Sequence, residues 1–160
     1  MVWSAVFQEK ANKSKIMSPH CVAIASDHAG FELKGQLKGE LERRGLNVVD
    51  LGTDGTASVD YPDFADKLAA ALADGRAERG VLVCGTGIGI SIAANRHRHV
   101  RAAVCHNGSE ARLARQHNDA NVLALGARVI GPEIAKDCLT AFLDTVFEGG
   151  RHARRVQKMS

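Results

Sequence analysis

Aromatic residues are scarce in this chain of 160 residues, where they make up 4% of the sequence. Proteins that bind single-stranded nucleic acids stack the bases on aromatic side chains, so this sequence is a poor candidate for that function. The net charge is only +3, and lysine and arginine are interspersed with acidic residues except at the C-terminal end. No broad basic face is predicted, and we do not expect a nucleic acid as a partner.

Long apolar runs and paired cysteines are also missing. No stretch is apolar over the length that crosses a bilayer, and the first residues lack the apolar core of a signal peptide. The four cysteines lie far apart without a Cys-x-x-Cys pair, which argues against a zinc site and against a disulfide framework. We therefore expect a cytoplasmic protein with no membrane partner and no metal.

The common nucleotide-binding motifs are absent as well. There is no Walker pattern, and the glycine-rich segment has Ile90 where the dinucleotide fingerprint requires its third glycine. The acidic residue that binds ribose in that motif is missing too, because the next predicted strand is followed by His106 and Asn107. No nucleotide cofactor is expected.

What the sequence does contain, from His20 onward, is a regular alternation of β-branched apolar runs and amphipathic runs, which is typical of strand-helix units around a parallel sheet. The predicted strands are 21–26, 47–51, 80–84, 100–105 and 121–125, and the predicted helices are 31–44, 63–73, 88–96, 109–116 and 132–147. The predicted fold class is α/β, a three-layer α/β/α sandwich around a five-stranded parallel sheet of Rossmann-like type. Residues 1–18 are expected to form a flexible N-terminal extension, and residues 19–160 a single domain with a C-terminal arm.

The glycine-rich segment 81–96 (VLVCGTGIGISIAANR) is the most informative stretch of the chain. It reads as a buried strand that ends at Cys84 and runs through a turn into a helix. The alternate glycines Gly85, Gly87 and Gly89 leave backbone amides open to a ligand, and the helix start beside Cys84 favours a reactive thiolate. The alternative is that Cys84 is simply a small buried apolar residue.

Polar side chains follow several predicted strands at the same edge of the sheet, where parallel sheets bind ligands. Asp27 and His28 follow the first strand, Tyr61 precedes the second helix, and His106 follows the fourth strand. Asp27 is as well suited to capping a helix as to binding a ligand. His28 is expected to donate to a phosphate or a hydroxyl group.

Two features of the C-terminal half suggest chemistry of their own. His117 lies in a dense polar run, 115–119, and is a candidate general acid or base; the alternative is a basic helix C-terminus. Arg151 and Arg155 lie four residues apart, so on a helix both face one way and suit a phosphate dianion. A solvated basic tail is the alternative. A hinge at 149–150 would let this segment fold over a site or onto a partner.

Five motifs occur in an order that resembles one known family. They are SDHAG at 26–30, DYPDFA at 60–65, CGTGIGISIAAN at 84–95, RQHNDANVLALGARVIG at 115–131 and EGGRHARRV at 148–156. Together they are similar to the ribose-5-phosphate isomerase B and galactose-6-phosphate isomerase family of sugar-phosphate isomerases, and the resemblance covers residues 20–156.

This resemblance implies a metal-free and cofactor-free aldose-ketose isomerisation through a cis-enediolate, with ribose 5-phosphate and ribulose 5-phosphate as the expected pair, a step of the pentose phosphate pathway. It implies a homodimer, possibly a dimer of dimers, in which each site is built from both subunits. It makes Cys84 the base that moves a proton between C2 and C1, His117 the acid that opens the furanose ring, and Thr86 an assisting residue.

The resemblance also implies which residues contact the sugar phosphate: Asp27, His28, Tyr61, Gly85, Gly87, Ile88, Gly89, Asn118, Arg128, Arg151 and Arg155. Some relatives replace the cysteine by serine and carry a glutamate base four residues later. Here that position is Ile88, which cannot take a proton, so the sequence belongs with the cysteine-using members. Three alternatives stay open: an isomerase of another aldose phosphate, a noncatalytic sugar-phosphate binding module, and a redox sensor based on Cys84.

Overall fold

The computed structural model describes residues 19–160, so the predicted N-terminal extension, 1–18, lies outside the described residues. Within residues 19–160, strands and helices alternate as the sequence predicts. The strands are β1 (Cys21–Ser26), β2 (Asn47–Asp50), β3 (Arg79–Cys84), β4 (Ala102–Val104) and β5 (Val122–Gly126). The helices are α1 (Phe31–Arg43), α2 (Tyr61–Ala73), α3 (Ile88–Ala94), α4 (Gly108–Asn118), α5 (Pro132–Asp144) and α6 (Arg151–Met159).

The five strands form one sheet in the order β2-β1-β3-β5-β4, and every neighbouring pair is parallel. β3 lies at the centre, where residues Gly80 to Cys84 are all buried. Because side chains alternate between the two faces of a strand, a fully buried strand needs a layer on each face. The α/β class and the five-stranded parallel sheet are therefore confirmed.

Two separate cores flank the sheet. On one face, α1, α4 and α5 pack apolar side chains such as Leu37 and Leu139 against Ile24 and Val81. On the other face, α2 and α3 pack against the alternate strand residues, whose side chains point to that face. Cys84 belongs to this second core. The three-layer sandwich is thus present as predicted. No helix within residues 19–160 is long and apolar enough to cross a membrane.

The edge strand β4 is shorter than predicted and covers only Ala102–Val104. Its predicted first residue, Val100, instead closes a turn by donating its N–H to the carbonyl of His97 at 3.0 Å. On the free side of β4, the side-chain amide of Asn95 pairs with both backbone groups of Ala102, at 2.9 Å and 2.8 Å. The side chain of the residue that follows α3 therefore occupies the place of a further strand at that point.

Four helix boundaries also differ from the prediction by two residues or more. α2 begins at Tyr61 because Pro62 fits the first turn, where a missing N–H costs nothing. α5 ends at Asp144 because Thr145 is extended. α3 ends at Ala94, and α4 runs through residue 118, so His117 lies within it.

The C-terminal arm forms a regular helix, α6, which begins directly after the hinge at 149–150. Gly149 and Gly150 both have positive φ values, 67° and 54°, which an L side chain rarely adopts. Arg151 and Arg155 thus lie four residues apart on a helix, and both are exposed.

Candidate active site

The turn after β3 surrounds the sulfur of Cys84 with backbone. Cys84 is 4% exposed, and its Sγ accepts a hydrogen bond from the N–H of Gly87 at 3.1 Å. The Oγ1 of Thr86 accepts from the N–H of Ile88 at 3.1 Å, which leaves its own proton free to donate. The turn therefore places a backbone N–H donor directly at the sulfur.

Glycine is required inside this turn for steric reasons. Gly87 has a φ of +79°, and a Cβ there would lie 2.9 Å from the carbonyl carbon of Leu125. A Cβ on Gly126, at the end of β5, would lie 2.5 Å from the carbonyl oxygen of Thr86. The two loops touch backbone to backbone, and this close packing fixes the position of the amides.

The loop after β5 also brings a positive charge to the turn. The N–H groups of Ala127 and Arg128 donate to the carbonyls of Cys84 and Gly85, each at 2.9 Å. As a result the guanidinium of Arg128 lies against Gly85, where a Cβ would be 3.3 Å from Nη1. Arg128 is exposed, so its side chain faces an open edge of the sheet.

The loop after β1 supplies Asp27 and His28 to the same edge. Asp27 is buried, and its carboxylate accepts from the N–H of Gly30 at 3.1 Å, so it makes a capping-type contact just before α1. The Nδ1 of His28 accepts from the N–H of Val59 at 3.2 Å. A neutral imidazole whose Nδ1 accepts carries its proton on Nε2, so His28 presents a donor to the edge.

Tyr61, the first residue of α2, packs its ring against Gly89. A Cβ on Gly89 would lie 2.5 Å from Cζ and 2.8 Å from the hydroxyl oxygen of Tyr61. Ile88, beside it on α3, is 54% exposed. The carboxyl edge of the sheet therefore brings together these predicted site residues: Asp27, His28, Tyr61, Cys84, Gly85, Thr86, Gly87, Ile88, Gly89 and Arg128.

His106 lies at this edge too, as expected, because it follows a strand of the parallel sheet. It follows β4, and β5 separates β4 from β3 in the sheet. Its backbone N–H and its Nδ1 both contact the carboxylate of Glu110, at 2.6 Å and 3.2 Å. Because chain order does not give strand order, the sequence did not reveal that another strand lies between His106 and the Cys84 turn.

His117 and Asn118 lie at the opposite edge of the sheet. They end α4, which connects parallel strands and so starts at the carboxyl edge and finishes at the amino edge. Asp119, the next residue, binds Arg101 just before β4 begins. α6 starts here as well, because Glu148 donates its N–H to the carbonyl of Gln116 at 3.1 Å.

The predicted site residues thus form two groups at opposite edges of one sheet. Arg151 and Arg155 lie on α6, with His117 and Asn118, whereas the Cys84 turn lies at the carboxyl edge. A single chain does not bring the two groups together.

At the amino edge, the imidazole rings of His117 and His152 are stacked, with centroids 4.3 Å apart and planes 12° apart. The Nε2 of His152 lies 3.7 Å from the carboxylate of Glu148. Burial of His152, reinforced by the neighbouring His117 and Arg151, lowers the pKa of His152. The sequence analysis gave no role to His152 or Glu148; the signal was their spacing of four residues.

His117, Glu148 and His152 are also the residues that a divalent cation would use, since their donor atoms lie within 4.8 Å of one another. Two histidines and a carboxylate suit zinc. The positive charges of Arg151 and Arg155, which help to lower the pKa of His152, oppose a cation at this position.

The remaining cysteines differ from Cys84 in their surroundings. Burial raises the pKa of Cys105 to about 12 and that of Cys138 to about 11, and both belong to the core on the other face of the sheet. Cys21 begins β1, at the amino edge. None of these thiols lies where a resolving cysteine for Cys84 would be needed, which disfavours the redox alternative.

Comparison with known proteins gives a consistent result. A family model described as Ribose/Galactose Isomerase matches residues 22–159. The chain is 48% identical over 139 residues to ribose-5-phosphate isomerase B of Escherichia coli (strain K12), covering 87% of this chain and 93% of that protein. It is also 48% identical over 139 residues to D-erythrulose-4-phosphate isomerase of Pectobacterium atrosepticum, covering 86% and 91%. The solved structure of ribose-5-phosphate isomerase B from Clostridium thermocellum matches with a TM-score of 0.86 and 52% identity, covering 87% of this chain and 94% of that one.

Proposed function

The chain belongs to the ribose/galactose isomerase family and is a sugar phosphate isomerase, and from that premise we propose that it interconverts ribose 5-phosphate and ribulose 5-phosphate. The observation that carries the proposal is the hydrogen bond from the Gly87 N–H to the Sγ of Cys84 at 3.1 Å. A sulfur that accepts a backbone N–H in a glycine-rich turn suits a base for proton abstraction next to a carbonyl.

In the proposed reaction, the thiolate of Cys84 removes the proton from C2 of the open-chain aldose and returns a proton to C1. Negative charge develops on O1 and O2 in the enediolate between these steps. Amides of the turn from Gly85 to Gly89 stabilise that charge. The proton on O2 passes to O1, and the free hydroxyl proton of Thr86 is placed to assist.

His117 acts as the acid that opens the furanose ring, with Asn118 binding the sugar beside it. Arg128, Arg151 and Arg155 hold the phosphate, and the Nε2 proton of His28 adds a donor. Phosphate binding, remote from the reacting carbons, fixes the substrate in a reactive position. Every acid, base and oxyanion donor in this route belongs to the chain itself, so the proposed reaction uses no cofactor.

The proposed route requires two subunits. Because Cys84 and His117 lie at opposite edges of the sheet, a complete site takes the Cys84 turn from one chain and the His117 group from another. A two-fold homodimer forms two such sites by one symmetric contact. The exposed apolar side chains Ile88 and Ile92 on α3, 54% and 53% exposed, give the Cys84 edge an apolar surface that suits this contact.

Turnover of ribose 5-phosphate by chelator-treated protein, followed as formation of ribulose 5-phosphate, tests the function. Cys84→Ser should lower kcat by about 10²–10⁴-fold, the usual contribution of a positioned base, and leave substrate affinity largely unchanged. Cys138→Ala, in the opposite core, is the matched control and should keep kcat. Comparable turnover by Cys84→Ser would remove the cysteine from this role, and binding without turnover by the unaltered chain would favour the noncatalytic module.

The phosphate assignment has its own test on α6. Arg155→Ala should raise KM for ribose 5-phosphate about tenfold or more, as expected for loss of a charged hydrogen bond, with a smaller effect on kcat. Arg154→Ala, an exposed arginine one residue away, is the matched control. Equal KM values for the two variants would show that Arg155 does not hold the phosphate.

A second substrate is favoured by one specific observation, the relative named D-erythrulose-4-phosphate isomerase at 48% identity. The chain would then act on a shorter sugar with the same residues. A comparison of kcat/KM for ribose, allose, galactose and erythrose phosphates decides between these substrates.

A further inference from the structure

We propose that His152 is a positioning residue that holds the imidazole of His117 in place for ring opening, while Glu148 orients His152. This inference rests on the proposed function, because it assigns a purpose to a side chain beside the proposed acid. Nothing in the proposed reaction requires His152 to touch the sugar.

The geometry of the pair is that of a flat support. The two rings are nearly parallel, 12° apart, with their centroids separated by 4.3 Å. Such a face contact restrains the tilt of the His117 ring without using either of its nitrogens. Within residues 19–160, the described contacts of the His117 ring include this stack and no hydrogen bond to a ring nitrogen. Both nitrogens therefore stay available to the substrate.

His152 is itself well fixed. It is 7% exposed, lies in the first turn of α6 and has the Glu148 carboxylate 3.7 Å from its Nε2. His117, in contrast, is half-buried and lies one residue before the end of α4. A buried ring on one helix thus packs on a more exposed ring at the end of another.

The charges around His152 agree with a supporting role for its ring. Partial burial, His117, Arg151 and Arg155 all lower the pKa of His152, and only Glu148 raises it. The lowered pKa favours the neutral form of His152. A neutral supporting ring does not repel the imidazolium that the acid role requires.

The test compares two replacements of the supporting ring. His152→Phe keeps a flat aromatic face, whereas His152→Leu fills similar space without one. With ribose 5-phosphate, we expect the leucine variant to lose about 10- to 100-fold in kcat, the cost of a misplaced catalytic group, with KM within about threefold. The phenylalanine variant should recover most of that loss, and Glu148→Gln should lose less than the leucine variant.

A second measurement isolates the ring-opening step. Ribulose 5-phosphate has no ring to open, because its C5 oxygen carries the phosphate. Exchange of its C1 hydrogen in deuterium oxide therefore needs proton transfer by Cys84 but not ring opening by His117. The leucine variant should exchange at nearly the wild-type rate, while Cys84→Ser should not exchange.

A spectroscopic signature checks the stack directly. In the free protein, the ring protons of His117 should carry an upfield ring-current shift that the leucine variant loses and the phenylalanine variant keeps. All samples contain a chelator, since these donor atoms also suit a metal ion.

Failure of the inference and failure of the proposed function are distinguishable. Wild-type kinetics in the leucine variant, or equal loss of ribose 5-phosphate turnover and of C1 exchange, would overturn the positioning role alone. Absence of turnover by the wild-type chain would overturn the proposed function, and this inference with it.

Discussion

The ring of Tyr61 lies directly on the backbone of Gly89, where a Cβ would come within 2.5 Å of Cζ. This contact joins the start of α2 to the first turn of α3, next to the Cys84 turn. Real Cβ atoms do not tolerate such a distance, so any side chain at position 89 must displace the tyrosine ring.

Gly89→Ala is therefore predicted to weaken substrate binding by moving Tyr61. We expect KM for ribose 5-phosphate to rise about tenfold, because a displaced wall costs on the order of 1.4 kcal/mol. The control is Gly35→Ala in α1, where no atom lies within 4 Å of the added Cβ. That variant should keep its kinetics and gain up to about 1 kcal/mol in unfolding free energy. Unchanged kinetics in Gly89→Ala would show that Tyr61 does not line the pocket.

Substitutions at two further glycines distinguish the effect of backbone strain on stability from an effect on catalysis. Gly87 and Gly45 have nearly equal φ values, 79° and 80°, but only Gly87 has backbone within 3 Å of an added Cβ. Gly45→Ala should cost about 1–2 kcal/mol of unfolding free energy, the penalty for a left-handed residue, and leave kcat intact. Gly87→Ala should cost more and lower kcat, because the N–H that reaches Cys84 must move. Urea unfolding and turnover assays measure both effects, and equal losses would contradict the steric argument.

The opposite positions of Cys84 and His117 predict complementation between two inactive chains. Cys84→Ser and His117→Asn are co-expressed with different affinity tags, and the mixed dimer is purified through both. If each site takes one residue from each chain, one site of the mixed dimer is intact and the other lacks both groups. The mixed dimer should have about half of the wild-type activity. Activity no higher than that of either parent dimer would exclude a shared site.

The buried Lys34 predicts a pH-dependent contribution to stability. Its Nζ donates to the carboxylate of Asp50 at 2.7 Å and to the carbonyl of Thr53 at 2.8 Å. Burial alone would raise the pKa of Asp50, but hydrogen bonds from Lys34 and Gly52 and the charges of Lys34 and Lys38 outweigh it and lower that pKa.

Because the pKa of Asp50 is lower in the folded state, its stabilising contribution is full above the unfolded value, about 4, and is lost as the pH falls through the folded value. Asp50→Asn should cost about 3 kcal/mol at pH 7, since it leaves Lys34 buried without a counter-ion. The cost should shrink below about pH 4. Asp74→Asn, from an exposed pair, is the control and should cost less than about 1 kcal/mol. A cost of Asp50→Asn that is independent of pH would contradict the lowered pKa.

Much of the fold could be predicted from the sequence, because strands buried on both faces are continuous apolar runs and β3 is a clear case. The edge strand β4 was predicted too long, since its limits depend on the side chain of Asn95 and on the turn at Val100. The sequence left the conformation of the α6 segment undecided for a similar reason. A basic segment becomes ordered only when another element, here the end of α4, packs against it.

The residues of the Cys84 turn could be identified in advance because their spacing itself gives the geometry. The division of the predicted residues between the two edges of the sheet could not be predicted, because no local pattern reveals strand order or the edge at which a helix ends. The strand that lies between His106 and the Cys84 turn is an example of the first reason. His152 was missed because its contact with His117 joins two helices that are distant in sequence.

The amide of Asn95 on the outer side of β4 has a consequence for crowded solutions. An unprotected strand edge is a template on which another chain can add by backbone pairing. Here an incoming strand would first have to break both hydrogen bonds to Ala102. The side chain of Asn95 thus prevents another chain from pairing with this strand edge. Substitution of Asn95 by an apolar residue would leave the edge free to pair and would promote aggregation.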